Sequence, residues 1–174
     1  MTEQDIARLM DEYRTNVKAL FENKSAEFAS NSSGRHASIL IEEMILHAQH
    51  TFDAFAGRMN PEVWNERVMT ALADAIARGV RVHLVVENEC APISNGTMPQ
   101  TVRPFVRRLP QQAIDGIKQV ITHCASGDGE SMRIEMDPAQ KSAVFAANNP
   151  ETASKVASVV SGLFNIGVPY DHAA

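Results

Sequence analysis

The stretch "ERVMTALADAIARGVRVHLVV", residues 66–86, constrains the fold more than any other. Val68, Ala71, Leu72, Ala75 and Ile76 recur at helical spacing, Gly79 follows as a left-handed stop, and a valine-rich run begins at once. A helix that ends directly in a buried strand belongs to a βαβ unit if another strand precedes it. "HTFDAFAG" supplies that strand, at about residues 50–57, and the helix between is expected to open at Asn60 with Pro61 in its first turn. Two such strands pair in parallel, which makes the chain α/β.

The remaining segments fit around this unit. Ile6, Leu9, Met10, Tyr13, Val17, Leu20 and Phe21 form the apolar face of a long helix, opened by Thr2 and Asp5 as a capping box. "SNSSGR" is a polar break, and it divides an N-terminal helix and linker (residues 1–34) from an α/β domain (residues 35–174). "HASILIEEMILHAQ" has too many apolar residues for a one-faced surface helix and predicts a buried one. "TVRPFVRRLPQQAIDGIKQVITHC" reads as mostly helical, interrupted by Pro104, Pro110 and Gly116. Two strands, "SMRIEMD" and "SAVFAAN", precede a closing helix capped by Asn149 with Pro150 in its first turn. The fold class expected is α/β, a mixed sheet flanked by helices, with an N-terminal helical arm.

At 174 residues and a net charge of -5, the chain is one domain in size and not a nucleic-acid binder that relies on overall positive charge. Its two cysteines, Cys90 and Cys124, follow a start that lacks a signal-peptide pattern, which predicts a cytoplasmic protein with free thiols. No apolar run approaches the roughly 18 residues of a spanning helix. No cofactor is implied.

Three sets of residues carry chemistry by type and spacing. Glu43, His47 and His50 stand at i, i+4 and i+7, so a continuous helix would place them on one face as weak metal-ligand candidates, with no fourth ligand indicated. Arg103, Arg107 and Arg108 form the one basic cluster and suit anion recognition if they converge, or a solvated face if they do not. The third set is "HCASGDGESMRIE", residues 123–135, where a histidine and a Gly-Asp-Gly turn precede an alternating strand. Cys124 cannot pair with His123 as a nucleophilic dyad, because adjacent strand residues point to opposite faces.

In order, "IEEMILHAQH" and "TFDAF", then "ERVMTALADAIARGV" and "RVHLVV", then "GDG", "MRIE", "AVFAANN" and a helix ending "GLFN", resemble one unit of the phospholipase D superfamily over residues 37–166. The family's motif is H-x-K-x4-D, in which histidine attacks phosphorus and lysine holds the phosphate. Here His123 takes the histidine position, Ala125 stands for the lysine and Glu130 for the aspartate, with Asp128 two residues earlier as a substitute. Phosphodiester cleavage needs positive charge where oxyanions develop, and loss of one such stabiliser costs about 10²- to 10³-fold in rate. The resemblance therefore implies a catalytically degenerate binding or accessory module for a phosphate-containing ligand, nucleic acid or protein partner. It leaves two alternatives: a dimeric, metal-independent phosphodiesterase using His123 from each subunit, with Asp128, Glu130 and Arg133 as supporting residues, or an interaction protein docking through residues 1–30. A homodimer is the assembly that the resemblance implies.

Overall fold

The computed structural model describes residues 1–118, 120–137, 139 and 142–172. Its centre is one eight-stranded sheet in the order β1-β7-β6-β5-β2-β3-β4-β8. The strands are β1 (Ala29–Asn31), β2 (Thr51–Phe55), β3 (Arg81–Val86), β4 (Val106–Arg108), β5 (Cys124–Gly127), β6 (Ser131–Asp137), β7 (Ser142–Ala146) and β8 (Val168–Pro169). β2 and β3 pair in parallel, as do β3 and β4, whereas β5, β6 and β7 form an antiparallel run joined to β2 through β5. The sheet is therefore mixed and covered by helices.

Helices α1 (Glu3–Glu22), α2 (Gly34–His47) and α3 (Glu66–Ala77) cover one face, and α5 (Gln111–Ile117) and α6 (Pro150–Ile166) the other; α4 (Ala91–Ser94) is a short turn after β3. α2 is buried nearly all round, as its composition demands, with Leu40, Met44 and Ile45 at 0% exposure. Each such side chain contributes about 1.5–3 kcal/mol by burial. α1 packs on α2: Val17 joins the core and Arg14 reaches Glu42 at 2.8 Å and Glu43 at 3.3 Å. Arg67 of α3 pairs with Glu42 as well, at 3.1 Å. Buried carboxylates need such partners, so the arrangement fixes how three helices meet more than it adds net stability.

Four expectations change. The polar break after α1 is not wholly loop, since residues 29–31 pair with β7 as an edge strand. α3 is capped by Asn65 rather than Asn60; Asn60 instead accepts the backbone N–H groups of Val63 and Trp64 in a turn that buries Trp64. The chain cannot start the helix until that turn is made. Residues 106–108 are strand, because the segment lies between prolines and finds a ladder partner on β3. α2 stops at His47, where Ala48 becomes extended, so His50 lies beyond it.

Candidate anion-binding pocket

The carboxyl ends of parallel strands β2 and β3 lie together, which is where α/β sheets open a crevice. After β2 the chain turns at Gly57 with φ of 57°. A Cβ there would stand 2.6 Å from Nε2 and 2.7 Å from Cε1 of His123, so the conformation favours glycine and any side chain would force the imidazole to shift. β5 runs antiparallel to β2 and brings His123, the residue before β5, to this same end.

His123 lies between two carboxylates. Its Nδ1 donates to Glu135 Oε2 at 2.7 Å, and its Nε2 is 3.6 Å from Glu87 Oε1. Burial pulls the imidazole toward neutrality, but the hydrogen bond and charge of Glu135, with Glu87, outweigh it and raise the pKa above the ordinary histidine value. Burial likewise pushes Glu135 up, and the facing His123 and Arg133 overcome this and hold it below the usual carboxylate range.

Arg133 stands on β6 directly across from Ala125. Its guanidinium lines the same pocket as His123. Arg133 is 6% exposed, and its hydrogen bond among the described residues runs from Nε to Asn31 Oδ1 at 3.3 Å. None of their carboxylates forms an ion pair with it; Glu135, two residues along the strand, is engaged by His123. Desolvation lowers its pKa, yet a guanidinium stays charged in proteins. Tyr13 of α1 lies close enough to feel that charge, and its buried hydroxyl has no hydrogen-bond partner among the described residues.

A cavity of about 190 Å³ opens beside these groups. Ala37, Ile41, Val63 and Trp64 form its apolar wall; Arg58, His123, Arg133 and Glu135 supply polar atoms.

Of the residues singled out in the sequence, the structure unites His123 and Arg133. Asp128 lies at the other end of β5, where its carboxylate accepts backbone N–H groups of Gln49, His50 and Thr51, each at 2.8 Å. Glu130 is exposed in the β5–β6 turn. The arginine cluster does not converge, because Arg107 and Arg108 are adjacent strand residues on opposite faces. Arg107 covers Phe164 and donates to its carbonyl at 2.9 Å, Arg108 lies over Tyr170, and Arg103 pairs with Asp171. Among the described residues no group of three side chains fits a metal ion. His47 contacts Glu43 and stacks on Phe21, and His50 is off the helix.

Glu135, Glu87, Arg58 and Gly57 were not identified as site residues from the sequence. The alternation of "SMRIEMD" held a signal, since it places Arg133 and Glu135 on one face. Burial raises both thiols, Cys90 to about 11 and Cys124 to about 12, so neither is a thiolate. No helix among the described residues is long and apolar enough to cross a membrane.

No protein-family model and no curated protein matches the chain. Solved structures do. Nuc from Salmonella typhimurium, described as a phospholipase D family member, is 20% identical, with a TM-score of 0.55 over 83% of this chain and 99% of its own. NucT from Helicobacter pylori is 12% identical, with a TM-score of 0.54 over 83% and 100%. TrmBL2, an archaeal chromatin protein described with a novel mode of DNA binding, is 10% identical, with a TM-score of 0.63 over 95% of this chain and 66% of its own. The chain shares its fold with Nuc, the phospholipase D family member, and with NucT.

Proposed function

We propose that this chain, with its phospholipase D fold, is a non-hydrolytic binding module that holds a small anion on Arg133. The observation that carries this is a guanidinium at 6% exposure, lining a cavity, with no carboxylate in ion-pair contact among the described residues. Leaving a buried cation uncompensated costs several kcal/mol, and an anionic ligand in the cavity offsets that cost. Hydrolysis is disfavoured by the other half of the site. The lysine position is Ala125, which is buried, and the nitrogen of His123 that would attack phosphorus faces Glu87. A carboxylate beside the attacking atom repels a phosphodiester.

The dimeric phosphodiesterase stands as the second reading, favoured by the 2.7 Å bond that orients His123 as a nucleophile would be oriented. Homodimerisation and nucleic-acid binding are part of the same proposal; TrmBL2 motivates the latter. Docking through residues 1–30 would use the outer side of α1, since its apolar face already packs on α2. The test is hydrolysis of an activated phosphodiester and of single-stranded DNA, with His123→Ala as control. No turnover by the wild type is expected. Metal-independent turnover that the variant loses establishes the phosphodiesterase instead.

A further inference from the structure

Resting on the reading of the pocket as an anion site, we infer that its ligand class is a small monocarboxylate with an apolar body, one aromatic ring or branched chain in size. Charge sets the first limit. His123 contacts both Glu135 and Glu87, and the pocket adds two guanidiniums, Arg58 and Arg133, so these groups together carry at most one positive charge in excess, with Arg133 the buried cation among them. A single cation suits a monoanion. A phosphate monoester brings about -1.5 to -2 charges at neutral pH, and its excess would meet Glu135 and Glu87.

Shape sets the second limit. The planar fork of a guanidinium matches the two oxygens of a carboxylate in a bidentate pair. A tetrahedral phosphodiester needs donors spread around it, and the group across the strand from Arg133 is the methyl of Ala125. It also carries two ester arms. A cavity of about 190 Å³ is little larger than the roughly 150 Å³ known to take up benzene, so it has room for one ring.

The wall sets the third. Trp64, Ile41, Val63 and Ala37 face the cavity with no polar atom among them save the indole nitrogen. They would bury an apolar body and leave a ligand such as acetate without most of its contact area.

Titration calorimetry with benzoate, 4-methylpentanoate, acetate, phenyl phosphate and dimethyl phosphate tests this on the full chain. Benzoate or 4-methylpentanoate is expected to bind at least tenfold more tightly than acetate and than either phosphate. Arg133→Gln should weaken that binding at least tenfold, Arg133→Lys by less, and Trp64→Leu should bring benzoate toward acetate. Circular dichroism checks folding, and Arg133→Lys carries the test if Arg133→Gln does not fold. Phenyl phosphate or dimethyl phosphate bound tenfold more tightly than the carboxylates, with dependence on Arg133, overturns the monocarboxylate and leaves the anion site standing. If no probe shows binding that depends on Arg133, both ideas fall.

Discussion

Two histidine–carboxylate pairs of nearly equal length occupy opposite faces of the sheet. His123 meets Glu135 at 2.7 Å, and His83 meets Asp53 at 2.8 Å. On the α6 face His83 stacks on Phe164 at 4.2 Å, and the guanidinium of Arg107 lies 4.2 Å from the centroid of the same ring. Every member of that assembly has a partner. On the α2 face the pair borders a cavity, has a second carboxylate beside it, and adjoins an arginine that forms no ion pair among the described residues. A histidine–carboxylate pair alone does not make a site; a cavity and an uncompensated charge beside it do.

Removing the ring that closes the α6 side gives the largest stability effect. Phe164→Ala should cost about 2–4 kcal/mol in denaturant unfolding, because it deletes packing against both His83 and Arg107. A loss under about 1 kcal/mol would mean that this face is not closed by the stack. Gly57→Ala comes next, at about 1–2 kcal/mol, since a side chain there is strained at positive φ and collides with His123. It should also change the His123 imidazole resonances in NMR spectra, whereas those of His83 stay in place. Arg107→Met follows, at about 1 kcal/mol, from a lost hydrogen bond and cation–π contact.

The pH dependence of the two pairs is a finer contrast. The raised pKa of His123 gives stability that is full below its ordinary value of 6.5 and is lost as pH rises through the folded value. The lowered pKa of Glu135 gives stability that is full above its ordinary 4.5 and is lost as pH falls through the folded value. Their shared contribution is therefore greatest between 4.5 and 6.5. Asp53 behaves oppositely: burial raises its pKa against the pull of His83 and Arg81, so its contribution falls as pH rises above 3.8. Thermal unfolding of His123→Gln and Asp53→Asn across this range should show the first variant closing on the wild type at alkaline pH. The second should gain on it as pH rises from acid.

Much of the fold was legible because its signals are local. Asn149 with Pro150 announced α6, Gly79 announced the end of α3, and the apolar run of α2 announced a buried helix. β4 was not legible: three residues between prolines become strand only through β3, a partner distant in sequence. Asn60 and Asn65 are equally good caps locally, and the burial of Trp64 decides between them. In the site, His123 was found by its motif, but Glu87 reaches it from another strand. Alternation in "SMRIEMD" tells that two faces exist without telling which is buried: Arg133 is 6% exposed and Met136 64%. A sheet covered on both sides removes the usual rule that charge faces water.

Arg133→Met, followed by thermal unfolding with and without benzoate, tests most directly whether Arg133 is retained for a ligand. An uncompensated buried cation replaced by an apolar side chain of similar length should leave stability unchanged or raise it by about 1 kcal/mol, while stabilisation by benzoate disappears. A variant less stable than the wild type, yet stabilised by benzoate to the same degree, would contradict this and make Arg133 a structural residue like Arg107.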